Sequence, residues 1–505
     1  MPSLQSELDR ILTSASFDAS ERNRQFLAYI GAETMAGRGE RIKAYSIALA
    51  VFGRPESFDP LLDPIVRIEA MRLRRSLDRF YLLEGSLSGQ RLSIPKGRYV
   101  PVLEPFLKEG SDPDVGLPSV RIAGFQTDGS RAALRLERAL VQELMVDISR
   151  FPNLIVFGPA GQEPVRSDYV LQGKTAQHEG SWHVALHLAR DVDDHVLWAG
   201  RFCIPMGRED GLPEGDLTGS VARTLAQAYG VIFADSARNT PPSGVNRNSS
   251  AFGAVHDFLE YWRSLDHAGI GTSLSALQAA IEAEPRYAEA RACLSMLYTN
   301  QARYHTSDPE TALRLRQTAM RLASEAVDLA PGGSWGYYAL GLSYWFLGDI
   351  AGSFSALEHA VALNPNDMLV LSELGHRYAM RMDWDRAVPM IRAAYEAFPA
   401  LPPSSHVGLF LYHLHRREFD EARACALRIY DLPIPQGALA LAAAAGERGD
   451  REEAREALER LDRISPGYEK ILVPDLLARN LHPTLIEEVR VGLLKAMECA
   501  RRTPD

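Results

Sequence analysis

Cysteine is scarce in this chain. Four occur in 505 residues, Cys203, Cys293, Cys425 and Cys499, and no two stand close enough for a CxxC pair. They read as reduced, buried small residues of a cytosolic protein. Long apolar runs are lacking too. No window approaches about 18 uncharged apolar residues, so no membrane-spanning helix is expected. The first residues, MPSLQSELDRILTSASF, are amphipathic and carry acids, unlike a signal peptide, and a cytoplasmic location is expected. The signatures of catalysis are missing as well: no glycine-rich phosphate loop, no G-x-S-x-G and no H-E-x-x-H. His183 and His187 share a face of an expected strand, with His178 and His195 nearby, and read as surface strand histidines. Asp191, Asp193 and Asp194 lack the spacing of a calcium loop and read as a solvated turn. No enzyme activity, metal or cofactor is expected.

What is present is ordinary for a globular chain, 46% hydrophobic and 24% charged, with a formal net charge of -10. The length exceeds one core and suggests about three domains. Stretches rich in Gly, Pro, Ser and Asp at 107–118 and 236–250 read as linkers. They divide the chain into 1–106, 118–235 and 251–501.

In the last part, prolines at 285, 331, 365, 399, 433 and 466 are spaced by 46, 34, 34, 34 and 33 residues. A 34-residue period closed by proline resembles the tetratricopeptide repeat, a helical hairpin, and about five or six units are expected. The clearest begins at Ser334, with Leu340, Gly341, Tyr344, Gly348, Ala360 and Pro365. The next repeats this with Leu374, Gly375, Tyr378, Ala387, Ala394 and Pro399. Small residues let paired helices approach, and large ones fill the space between hairpins. The stretch HPTLIEEVRVGLLKAMECA suits a capping helix. The aromatics Trp335, Tyr337, Tyr338, Trp345 and Trp384 read mainly as helix packing, or as the lining of a groove for a protein or peptide partner.

The middle part alternates strand and helix signals. SVRIAGF and NLIVFG read as strands around a periodic helix at 133–151. Three antiparallel strands follow, and then one long helix over DLTGSVARTLAQAYGVIF. This small α/β domain is similar to the N-terminal domain of TolB-like proteins, on the cues Phe125, ISRFPNLIVFG, YVLQG and LWAGRF.

The first part reads as helices and then a hairpin. Ser20 caps a helix whose buried stripe holds Phe26, Leu27 and Ile30, and Gly37 closes it. Residues 43–53 form a short third helix. Asp63-Pro64 starts a fourth, running to about Leu83. On it Val66, Ala70, Leu73, Leu77 and Phe80 make a buried stripe, while Arg67, Met71, Arg74 and Asp78 face solvent, flanked by Arg72, Arg75 and Arg79. RLSIPKGRYVPV follows as two strands around Pro95–Gly97. Residues 66–101 carry eight cations against three carboxylates, inside an acidic chain. A solvated charged face is one reading. A helix for the major groove, with arginine forks for guanine edges or phosphates, is the other.

The order helix, turn, helix, basic hairpin resembles the winged helix of OmpR-type response regulators and HilA- and CadC-like activators. VRIEAMRLRRSL and SIPKGRYVPV carry the likeness, with IALAVFG upstream. By this resemblance Arg67, Met71, Arg72, Arg74 and Arg75 face DNA bases or phosphates, and Lys96 and Arg98 occupy the wing. Glu69, inside the same helix, would accept from cytosine or repel phosphate. The helices read at 4–37 depart from the small sheet that opens that family. The three-part plan also resembles bacterial regulators and adenylate cyclase relatives that carry tetratricopeptide repeats, though no segment is left for a cyclase domain. The fold class expected is therefore multidomain: a winged helix-turn-helix, a small α/β domain and an all-α solenoid. The function implied is a transcriptional regulator binding double-stranded DNA, with a protein or signal bound by the other domains; it involves no membrane and is compatible with a homodimer. The alternatives are a scaffold acting through its repeats, or a cyclase-related accessory protein.

Overall fold

The computed structural model describes residues 4–14, 17, 19–55, 66, 69, 70, 73, 74, 76, 77, 80, 90–95, 98–105, 116–159, 166–205, 217–238, 250–304 and 308–501. The chain forms two compact units, Met1–Asp112 and Pro113–Asp505.

The first unit contains α1 (Leu4–Thr13), α2 (Glu21–Met35), α3 (Ala44–Ala50) and an antiparallel pair, β1 (Gln90–Ser93) and β2 (Val102–Pro105). The Ser20 hydroxyl accepts from the Asn23 N–H at 3.2 Å, the cap expected for α2. Gly37 follows that helix with φ of 72°, which costs glycine little. α3 stops three residues before Gly53, which also takes positive φ. The described residues between 66 and 80 are helical. Val66, Ala70, Leu73, Leu77 and Phe80 are all buried, in one core with Phe26, Leu27 and Ile30. The five-residue stripe was legible because each member falls on one helical face. β2 starts later than expected. Tyr99 and Val100 leave the ladder and pack on the core instead.

The second unit opens with a five-stranded sheet. Its elements are β3 (Ser119–Ile122), α4 (Arg131–Ser149), β4 (Ile155–Phe157), β5 (Tyr169–His178), β6 (Ser181–Arg190), β7 (Val196–Pro205), α5 (Leu217–Ala226) and α6 (Val231–Ser236). The strand order is β4-β3-β5-β6-β7, with β3 parallel to both neighbours and the remainder antiparallel. Val120, Ile122, Leu171, Val184, Leu186 and Leu188 bury one sheet face against Leu140, Leu144, Val221 and Leu225 of the two long helices.

One expectation fails here. The single helix over residues 216–233 is broken into α5 and α6. Tyr229 adopts φ of 71°, and a Cβ at Gly230 would lie 2.8 Å from the Gln227 carbonyl oxygen. The turn points the Tyr229 hydroxyl at the Leu259 carbonyl, 2.8 Å away. That tertiary bond overrides a continuous apolar period.

Helical hairpins follow: α7 (Ala251–Ser264) with α8 (Ile270–Ala283), α9 (Ala288–Tyr304) with α10 (Pro309–Leu329), α11 (Ser334–Phe346) with α12 (Ile350–Leu363), α13 (Met368–Met380) with α14 (Trp384–Ala397), α15 (His406–His415) with α16 (Phe419–Ile429), and α17 (Pro435–Arg448) with α18 (Arg451–Ile464). A short α19 (Leu472–Ala478) and a closing α20 (Pro483–Arg501) end the described chain. Asp308, Asp349, Asp367, Asp383 and Asp450 each cap a helix through the side chain. Gly341 and Gly375 stand where a Cβ would meet Leu357 at 2.6 Å and Ile391 at 2.9 Å. Close approach within each hairpin is thus the reason for the recurring Leu-Gly. α20 caps the array as expected and lies against α17: a Cβ on Gly446 would reach the Gly492 carbonyl oxygen at 2.3 Å.

The loop Asn364–Asp367 joins the solenoid to the sheet domain. The Arg223 guanidinium donates to Asn366 Oδ1 at 2.9 Å, Asn366 Nδ2 donates to Asp147 at 3.1 Å, and the Met368 N–H donates to Gln227 Oε1 at 3.2 Å. The Tyr287 hydroxyl donates to Asn153 Oδ1 at 2.6 Å. The cysteines are all free; only Cys293 is buried, and Cys203 is exposed, so that part of the expectation is corrected. Among the described residues, no helix is long and apolar enough to cross a membrane.

Candidate functional site

Of the residues expected to contact DNA, Arg67, Met71, Arg72, Arg75 and Lys96 lie outside the described residues. Arg98 is exposed between β1 and β2. Arg74 is corrected. Its side chain does not project freely into solvent. Nε donates to the Ile94 carbonyl at 2.8 Å, and Nη2 to the carbonyls of Pro95 and Arg98 at 3.2 and 3.1 Å. The guanidinium fork ties the helix to the segment linking the two strands, which suits its planar donor geometry. Glu69, expected to meet cytosine or phosphate, is buried at 5% exposure.

In the sheet domain, His183 is exposed and His187 half-buried on one face of β6, and the His178 and His183 rings meet at 5.9 Å. No group of three or more potential metal ligands occurs among the described residues. Asp193 accepts from Arg190 at 2.9 Å and from the His195 N–H at 3.1 Å, which lowers its pKa and closes the turn.

The solenoid holds the most developed site. The first helices of its hairpins face inward, and between them lies a cavity of about 80 Å³. Trp262, Val407, Phe410, Leu411, Leu439 and Val489 contribute to its apolar wall. Its polar end is formed by Arg303 of α9, Glu373, His376 and Arg377 of α13, and Arg479 after α19. Arg377 pairs with Glu373, one turn apart, and its guanidinium lies 5.0 Å from the centre of the Trp345 ring. Arg479 binds Asp475 at 2.8 Å and also donates to the Tyr304 hydroxyl at 3.2 Å. Arg303 donates to that same hydroxyl at 2.8 Å and to Asn300 Oδ1 at 3.2 Å. It stacks over Tyr304 and Phe346.

Burial dominates the electrostatics. It lowers Arg303 to about 10. It holds His376 well below the ordinary imidazole range, with the Arg377, Arg303 and Arg479 charges adding to the effect, so the ring is neutral. Burial also opposes ionisation of Asp475, but Arg479 outweighs it and keeps this carboxyl low.

The closing wall of the cavity is the chain's own segment 472–482. The Trp345 indole donates to the Arg479 carbonyl at 2.9 Å, and Asn480 Nδ2 donates to the Trp345 carbonyl at 2.7 Å. Arg381 donates to the Asn480 carbonyl at 3.0 Å, and the His482 N–H to the Met380 carbonyl at 2.9 Å. Leu476 and Leu481 enter the core. At this place the C-terminal segment forms one wall of the cavity. An aromatic cleft remains open on α14 and α15, lined by Trp384, Val388, Tyr412, His415 and Arg416. Trp335, Tyr338 and Trp345 are core residues, as expected.

The tetratricopeptide repeat family matches residues 336–367, the stretch covering α11, its turn and α12. The C-terminal part is a solenoid of that repeat type. Among solved structures, yeast Tom70 is similar at 13% identity over 52% of this chain and 63% of the yeast chain, with a TM-score of 0.30. The likeness thus spans less than two thirds of the yeast protein. No curated protein sequence matches this chain significantly.

The inward arginines were not singled out from sequence, although a signal existed. Adding the period of 34 to Leu342 and Ser343 gives His376 and Arg377. A polar ring and a guanidinium stand there in place of an apolar and a small residue of the preceding repeat. Arg303 and Arg479 carried no such mark.

Proposed function

We propose that this chain is a non-catalytic interaction protein whose repeat solenoid engages a protein partner. The observation that carries this reading is the stack of hairpins with 34-residue spacing, one of which matches the tetratricopeptide repeat. Such arrays present extended surfaces to partners. Segment 472–482 walls the inner cavity, and the open aromatic cleft at Trp384 and Tyr412 is the surface we assign to the partner. Purification of the tagged full-length protein from its own cells, with cross-linking, is the test. The expected result is a stoichiometric partner cross-linked near α14 and α15, with affinity at least about tenfold lower for Tyr412→Ala. A chain that purifies alone, or a partner unaffected by Tyr412→Ala and by Arg416→Glu, overturns it.

A second reading, sequence-specific DNA binding by the first unit, is supported by the basic surplus at 66–101 and by exposed Arg98 beside the strand pair. Titration with DNA from the chain's own promoter region at several salt concentrations tests it. Phosphate contacts from Lys96 and Arg98 would make Lys96→Ala with Arg98→Ala lower the salt slope by about 2. An unchanged slope, or no binding, removes the reading.

A further inference from the structure

The polar end of the solenoid cavity holds three guanidinium groups, those of Arg303, Arg377 and Arg479, against two carboxylates, Glu373 and Asp475. His376 between them is neutral. One positive charge is left over among these groups. Arg377 is only 3% exposed and His376 8%. Arg377 Nε and Nη1 and Arg303 Nε are buried without a hydrogen-bond partner among the described residues. Unpaired buried donors of charged groups are costly, so an acceptor placed among them is favoured. The rest of the wall is apolar, and about 80 Å³ is room for a handful of non-hydrogen atoms.

We propose that this cavity is a binding site for a short-chain monocarboxylate, its carboxylate set on Arg303 and Arg377 and its alkyl body on the wall of Val407, Phe410 and Leu439. One anion neutralises the surplus charge and supplies two acceptor oxygens. A dianion would overshoot, and an uncharged amide would leave the charge in place. Leu476, Arg479 and Leu481 of the closing segment line the same cavity, so an occupant also holds segment 472–482 more firmly. The proposal is independent of the partner-binding and DNA readings.

The test is calorimetric titration of the full chain with acetate, propionate and butyrate at constant ionic strength, beside butyramide and chloride. The expected result is one site per chain that prefers at least one of the three acids over butyramide by about tenfold or more, the worth of one charged hydrogen bond. Arg303→Gln should weaken that acid by a similar factor. Should this variant misfold, hydrogen exchange on the unaltered protein decides: the acid, not butyramide, should slow exchange at 472–482. Three outcomes overturn the proposal. They are no binding by any of the acids, equal binding of butyramide, and displacement by chloride at matched concentration, which marks an adventitious ion only.

Discussion

Arg74 shows how one side chain can be read correctly in position and wrongly in direction. Its place on the helix was legible, since five apolar neighbours fix the face. Its direction was not, because the carbonyls of Ile94, Pro95 and Arg98 that bind it are about twenty residues away. The consequence is testable. Arg74→Ala removes three charge-assisted bonds and should destabilise the first unit by about 2–3 kcal/mol. Hydrogen exchange at Leu92–Leu103 would report it as lost protection. All six tryptophans lie at position 182 or later, so the first unit has no tryptophan to report the change. Arg74→Lys should restore little, because an ammonium cannot span the three acceptors.

Glu289 supports a second residue-scale prediction. Burial raises its pKa to about 7. A carboxyl raised in the fold binds its proton more tightly there than in the unfolded chain. Stability therefore rises as pH falls from about 7 towards the ordinary carboxylate range, and the destabilising effect is complete above 7. Melting temperatures across pH 5–8 should show this as a difference from Glu289→Gln, which lacks the slope. Buried His376 and His406, both held low, act in the opposite direction in either protein, so only the difference is diagnostic.

At the scale of elements, the hairpins were legible because packing demands recur every 34 residues. Gly341 and Gly375 admit a facing helix, and the helix-closing residues repeat with them. The break between α5 and α6 was hidden for the converse reason. An unbroken apolar period ran through Tyr229, and only the bond to Leu259 in the next domain reveals the turn. Helix contact also sets the cost of change at the cap. Gly446→Ala places a methyl against the backbone of α20, where no rotamer change gives relief. Chemical denaturation should show a loss of about 1–3 kcal/mol or more, with α20 amides exchanging faster.

At the scale of the second unit, the sheet domain and the solenoid were read as separate because a linker-like stretch divides them. The structure ties them through Asn364 and Asn366, at the proline-marked turn of one repeat. Repeat turns ordinarily face water, so nothing local announced a dock. Both asparagines are buried, at 1% and 6% exposure. Asn366→Leu removes the bridge between Arg223 and Asp147 and should split one calorimetric transition of residues 113–505 into two; a single unshifted transition would show the two parts to be coupled by other contacts.

The lock formed by Arg479, Asn480 and His482 changes what kind of object the solenoid is. In repeat arrays each hairpin ordinarily leans only on its neighbours. Here the last strap of chain is stitched to hairpins more than a hundred residues earlier. The bonds at Trp345 and Met380 can form only once residues 479–482 have been synthesised.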